Sequence, residues 1–295
     1  MKKPKTQKPQ KEATYSIIIR RVFDAHYREG LTRFEFQRDE LKIAAEELGF
    51  DVEGDKKTVT KNLGDIIYSF RFRKDFPAEI KQTAPAGKMW IIVGKGDAAY
   101  EFRLITIPSL AADPNWFVTK LHDATPEIVR RFELSDEQAV LARIRYNRLV
   151  DIFCKCVAYS LQNHLRTKVE GIGQIEIDEL YVGANRQGEH FIIPVQAKKE
   201  KDRLGVSQLL QDLEYCRWKC PEMRSRALGA QMMMHKENGR SFDKIVIFEF
   251  ECRDEPNDVI IRKIAERHFV LLPHSEIKRS DFEDASRRSE EATEG

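Results

Sequence analysis

The sequence predicts an α/β protein made of two units, and three patterns predict it. Within the stretch Ile172–Gly183, apolar and polar residues alternate from Ile175 to Asp178, the period of a half-buried strand. Turn residues Gly183, Asn185 and Gly188, an apolar run from Phe191 to Val195 and a helical stretch from Gly205 to Arg217 follow in that order. Upstream, two segments with apolar residues at helical spacing precede a hairpin, Met89–Val93 and Ala99–Leu104, around Gly94 and Gly96. At 295 residues the chain is long enough for two domains.

Composition narrows the function classes. Hydrophobic residues make up 41% and charged residues 33%, an ordinary soluble composition. No apolar run approaches the roughly 20 residues that span a bilayer. The lysines near the start have no apolar core behind them, so no secretory signal is expected. A cytoplasmic protein with no membrane partner is therefore expected. The net charge is +2, with a mildly basic first 125 residues and a slightly acidic remainder, as in many proteins with and without nucleic-acid partners. Five cysteines, an odd number, argue against a disulfide framework. Cys154 and Cys156, two apart, and Cys216 and Cys220 read as buried free thiols rather than a metal site. There is no H-E-x-x-H spacing and no phosphate-binding G-x₄-G-K-[ST] loop, so neither zinc hydrolysis nor ATP-driven work is indicated.

Taken in order, residues 1–12 hold five lysines and almost nothing apolar, and are expected to be a disordered basic tail. Residues 13–126 read as a small α/β module and a linker. Thr32-Arg-Phe-Glu35 has the pattern of a capping box, ahead of Leu41, Ala44, Ala45 and Leu48 at helical spacing, with Gly49 as the stop. A second helix is expected through Val59, Leu63, Ile66, Ile67 and Phe70. Helix, helix and hairpin is the order of a winged helix-turn-helix. On that reading Lys61 and Asn62 approach base edges, while Arg71, Arg73, Lys74 and Lys95 meet phosphates. A small interaction domain with a solvated helix face accounts for the same residues, and Asp65 on that face favours it. Pro108, Pro114 and Pro126 mark the linker.

Residues 127–274 read as the second domain. Ser135-Asp-Glu-Gln138 opens a segment of helical composition that runs to about Lys168. Strands are expected at Ala227–Met234 and Lys244–Glu251, a helix at Val259–Arg267 and a last strand at His268–Leu272. Residues 275–295 are charged and are expected to be disordered.

The chemistry is concentrated in the first hairpin of that domain. Glu176 and Asp178, two apart on a strand, share a face, as do Gln196 and Lys198 on the next strand. Antiparallel pairing would bring two acids, an amide oxygen and an ammonium to one spot. Carboxylate and carbonyl oxygens suit a hard cation such as Mg²⁺. At Asp178, the hairpin, Gln196-Ala-Lys198 and the helix behind it, the chain resembles the PD-(D/E)XK nuclease superfamily. The resemblance implies a restriction-endonuclease-like αβββαβ core and Mg²⁺-dependent phosphodiester hydrolysis. It implies Asp178 as metal-binding acid, Gln196 at the second ligand position and Lys198 as catalytic lysine, with Glu176 or Glu179 as auxiliary ligands. Two departures stand out: no proline precedes Asp178, and Gln196 stands where an acid is usual. Gln211-x₃-Tyr215 matches a short motif of the RecB-like branch, and Glu137 is either an added ligand or a charge complementing its helix dipole.

The expected protein is thus a Mg²⁺-dependent DNA endonuclease with a restriction or phage-defence role, acting on double-stranded DNA as a homodimer. Two alternatives stay open: a DNA-binding regulator with an inactive nuclease fold, and a protein-interaction module with no nucleic-acid partner.

Overall fold

Runs of β-branched and aromatic residues fill the second half of the chain, and they assemble into one sheet that also takes in strands of the first half. The computed structural model describes residues 8–50, 63–96, 98–132, 137–199, 202, 204–255, 258–281 and 283. The first elements are α1 (Lys8–His26), β1 (Arg33–Gln37), α2 (Glu40–Glu47), α3 (Gly64–Phe72), α4 (Ala78–Gln82), β2 (Lys88–Gly94) and β3 (Ala99–Thr106). β3 lies between β1 and β2 and pairs antiparallel with both. The helices bury Phe23, Ile66, Ile67 and Phe70 against Phe36, Trp90 and Phe102. Phe23 meets Phe102 and Trp90 edge-on at centroid distances of 5.1 and 5.3 Å, a favourable ring geometry.

Two expectations change here. Lys8 and Lys11 belong to α1 rather than to a core-free tail, and residues 1–7 lie outside the described residues. Arg33–Gln37 pairs with β3, so the Thr32–Glu35 pattern lies on a strand and caps nothing. Glu40, the first residue of α2, reaches back to the end of β1, its Oε1 accepting the Gln37 N–H at 2.7 Å. Leu41, Ala44 and Ala45 are buried as expected, and Gly49 at φ +74° ends that turn of chain.

The linker carries a strand, β4 (Val118–His122), followed by α5 (Glu127–Phe132), α6 (Glu137–Tyr146) and α7 (Leu149–Cys154). Helix does not continue to Lys168. The backbone turns left-handed at Arg148 and again at Lys155, both at φ +53°. The chain then enters β5 (Val157–Val169), which pairs antiparallel with β6 (Gly173–Ala184). β7 (His190–Lys199) completes the antiparallel meander, and α8 (Val206–Lys219) crosses over. After the short β8 (Arg224–Ser225) comes β9 (Ala227–Glu237), parallel to β7. β10 (Arg240–Glu255) and β11 (Asp258–Leu272) follow antiparallel. Val259–Arg267, read as a helix from its spacing, is strand, because pairing with β10 along its length outweighs local periodicity. β4 pairs parallel with β11, and β11 meets β3 through Val259–Ile260 against Ile105–Thr106. The sheet therefore runs β1-β3-β11-β10-β9-β7-β6-β5 without a gap.

Helices cover both faces. α6 and α7 place Val140, Leu141, Ile144 and Phe153 on Ile193, Val195, Leu228 and Phe269. α8 sets Tyr215 and Cys216 on Ile175, Ile177 and Ile192, and Leu209 and Leu210 on Val246, Phe248 and the β2 residues Ile91 and Val93. Through that last contact the N-terminal module docks on α8. Beyond β11, His274–Glu276 form a 3₁₀ turn and Asp281 pairs with Lys120 at 3.2 Å, so this stretch is held rather than tail-like. Residues 284–295 lie outside the described residues. No described helix is long and apolar enough to cross a membrane.

The β2–β3 tip touches the β5–β6 turn. A Cβ on Gly94 would collide with the carbonyl of Ile172, and one on Gly96 would lie 2.9 Å from the Gly171 nitrogen. Gly94→Ala is expected to cost about 1–3 kcal/mol of stability through this overpacking. Urea denaturation checks it, with Gly205→Ala as the control, since a Cβ there meets only ordinary contacts with Gln208.

Candidate active site

β6 and β7 stay paired only as far as Glu179 and Val195, while β7 pairs with β9 from Val195 onward. Where β6 leaves its neighbour, a side chain takes over from the ladder: the Ala197 N–H donates to Asp178 Oδ2 at 3.0 Å. The next residue, Lys198, carries its Nζ 3.7 Å from Oε1 of Glu137, the first residue of α6. The charges of Lys198, Glu137 and Glu176 all bear on the Asp178 carboxyl. Burial raises its pKa most; the Ala197 N–H and Lys198 oppose that rise, and Glu137 and Glu176 add to it.

α8 closes the site from its own face of the sheet. Gln208 donates to the carbonyl of Glu176 at 3.2 Å, and Gln211 donates to that of Gln174. Asp212 lies among the apolar residues Leu209, Leu210 and Leu213 and is 1% exposed. Gln196, wholly buried, donates from Nε2 to Asp212 Oδ2 at 2.9 Å. With the amide nitrogen facing the carboxyl, Gln196 Oε1 is left to point elsewhere. Gln196 Oε1 and Asp212 Oδ1 are both buried with no hydrogen-bond partner. Burial lifts the Asp212 carboxyl well above the ordinary range, Asp178 adds to that, and Gln196 and Lys198 pull against it.

The expected residues divide accordingly. Asp178, Gln196 and Lys198 converge, and Glu176 stands at the rim, held by Arg166 at 2.8 Å. Glu179 belongs elsewhere: it is fully buried against Arg145 at 2.9 Å and the Ser160 hydroxyl at 2.6 Å, an ion pair that already neutralises it. Glu137 does reach the site. Asp212 was missed, although a carboxylate in the apolar stripe of an amphipathic helix was visible in the sequence.

Among the described residues no three His, Cys, Asp or Glu side chains converge to hold a metal ion. What the site offers is two carboxylates, Asp178 and Asp212, and the amide oxygen of Gln196. With two orphaned oxygens, this donor set fits a hard divalent cation completed by water or phosphate oxygens. The five cysteines are all free, and three are buried.

The site opens into a cleft of about 2640 Å³ between the sheet and the N-terminal module, lined by Asp178, Lys198, Glu137 and Glu176 and by residues of α3. Of the residues expected to meet nucleic acid, Lys61 and Asn62 lie outside the described residues. Arg71 is half-buried, donates to Gln211 Oε1 at 3.2 Å and lies 4.8 Å over the Phe72 ring. The Arg73 guanidinium lies 4.6 Å over Tyr68, and Lys74 lines the cleft. Lys95 is drawn away to Glu35 and Glu101, at 3.8 and 3.9 Å. Asp65 accepts from the Tyr15 hydroxyl at 2.7 Å. No protein family, curated protein or solved structure matches this chain.

The raised pKa of Asp212 has a consequence for stability. An acid that holds its proton more tightly when folded costs stability as pH rises above its unfolded value, and the cost grows up to the folded value. Asp212→Asn carries no such cost. In metal-free buffer it is expected to melt higher than wild type at pH 7, with a smaller gain at pH 4. Thermal melts at the two pH values check this; a gain independent of pH would mean that titration of Asp212 is not its source.

Proposed function

We propose that the chain is a divalent-metal-dependent phosphodiesterase that cleaves DNA. The observation that carries this reading is the pair of acids, half-buried Asp178 and buried Asp212, set beside Lys198 at the mouth of a large cleft, with orphaned oxygens on Asp212 and Gln196. Topology supports it. A helix, an antiparallel three-stranded meander, a crossover helix and a strand parallel to the third is the αβββαβ order of the PD-(D/E)XK nucleases. The order α1-β1-α2-α3-β2-β3, with β3 between β1 and β2, is that of a winged helix carrying one added helix, α4.

Asp178, Asp212 and Gln196 Oε1 would hold Mg²⁺. When bound, such a cation polarises a phosphoryl oxygen and acidifies a water molecule. The chain's own groups do the rest. The Ala197 N–H fixes the Asp178 carboxylate. Gln196 anchors Asp212 and lets it share the site although it comes from a helix. Lys198 brings a positive charge to where a phosphate gains negative charge in the transition state, and Glu137 holds that ammonium in place. Asp212 thus supplies the negative charge that glutamine withholds at position 196, which favours an active site over an inactive nuclease fold.

Asp178→Ala, Asp212→Ala and Lys198→Ala are each expected to lower Mg²⁺-dependent cleavage of mixed DNA substrates by at least about a hundredfold, the scale of losing one electrostatic group at a reacting centre. Glu179→Gln is expected to lose about 1–3 kcal/mol of stability, modest because Arg145 reaches solvent, and to keep its cleavage rate below the melting range. Cleavage by folded Asp178→Ala at the wild-type rate would overturn the site.

A further inference from the structure

The outer face of α3 is unusual for a nine-residue helix. Its inner face is spent on the module's core, with Ile66, Ile67 and Phe70 buried. Yet Tyr68 and Phe72, one helical turn apart, stay at the surface and line the cleft, their rings 5.1 Å apart and edge-on. Tyr68 remains 38% exposed. Two guanidiniums lie against these rings, Arg71 over Phe72 and Arg73 over Tyr68. Rings and planar cations interleaved along one cleft wall are the surface on which bases stack, and stacking is indifferent to sequence because every base has a face to offer.

The cleft's dimensions set what can lie on that wall. Its volume of about 2640 Å³ exceeds the roughly 300–1,000 Å³ of a small-molecule pocket, so a stretch of polymer fits. It is also closed at one end. The β2–β3 tip is in backbone contact with the β5–β6 turn at Gly94–Ile172 and Gly96–Gly171. Stacking on exposed rings needs bases that are unpaired and free to splay, which a single strand offers and a double helix does not.

We propose that α3 is a base-stacking platform, with Tyr68 at its centre, and that the cleft takes an unpaired strand of nucleic acid rather than a duplex. This rests on the nuclease reading for the chemistry but not for the binding. Arg71 is tied to Gln211 of α8, beside Asp212, so a strand stacked on α3 is held in register with the acids.

The test is fluorescence anisotropy of the full chain in EDTA, which blocks metal-dependent cleavage, at one fixed salt concentration. The probes are a fluorescein-labelled oligodeoxynucleotide of about 15 nucleotides, near the upper site size of single-strand grooves, and the same sequence as a duplex. Wild type is expected to bind the single strand at least about tenfold more tightly. Tyr68→Ala is expected to weaken single-strand binding by about fivefold or more, the scale of one lost stack, with little change for the duplex. Tyr68→Phe is expected to bind as wild type, and Arg73→Gln to fall between. Equal or tighter duplex binding, or unaltered single-strand binding by a folded Tyr68→Ala, overturns the proposal. The two readings fail separately. Duplex cleavage without single-strand preference sinks this inference alone, and single-strand preference without any Mg²⁺-dependent cleavage sinks the proposed function alone.

Discussion

A single buried hydrogen bond, from Gln196 Nε2 on β7 to Asp212 Oδ2 on α8, joins the sheet to the helix at the point where the chemistry is proposed to occur. Both partners are essentially without solvent contact, and each keeps one oxygen that nothing in the protein satisfies. Leaving a buried polar atom unpaired costs of order 1–3 kcal/mol, and a buried carboxyl costs more unless it is neutralised. An apolar pair of similar size would pack here without that penalty. Such an arrangement marks a candidate functional spot, and a hard cation is the species that would satisfy two acids and an amide oxygen.

The same helix connects the site to the N-terminal module. Gln211, beside Asp212, accepts from Arg71 of α3 and donates to the β6 backbone at Gln174. One turn on from Gln211, Glu214 lies 3.9 Å from Arg103 of β3, itself paired with Glu101. Arg103 and Glu101 are buried, so this contact is less screened than a surface ion pair. With Leu209 and Leu210 packed on Ile91 and Val93, α8 is as much a part of the module's docking surface as of the sheet domain. Anything that shifts the module on binding a strand therefore acts on the helix that carries Asp212.

Much of this was legible from the residues. Alternation placed β6, the turn at Asn185–Gly188 placed the hairpin, and Asp178, Gln196 and Lys198 pointed to the candidate site. What failed did so for identifiable reasons. Val157–Val169 and Val259–Arg267 have the composition or spacing of helices, and only pairing with distant strands makes them extended. Glu179 sits next to Asp178 in sequence, but its carboxylate goes to Arg145 of α6, a pairing that adjacency does not reveal. Asp212 is 14 positions beyond Lys198, and a spacing rule confined to the hairpin passes over it. Its signature was a charge among Leu209, Leu210 and Leu213, which a burial argument detects and a motif does not.

The central claim is that Asp178 and Asp212, from separate elements, share one cation. Isothermal titration of the metal-free protein with Mg²⁺ or Mn²⁺, in the absence of nucleic acid, addresses it most directly. The account predicts a saturable site in wild type that is lost or at least about tenfold weaker in both Asp178→Asn and Asp212→Asn, and unchanged in Glu179→Gln. Wild-type binding by folded Asp212→Asn, or an equal loss in Glu179→Gln, would contradict it.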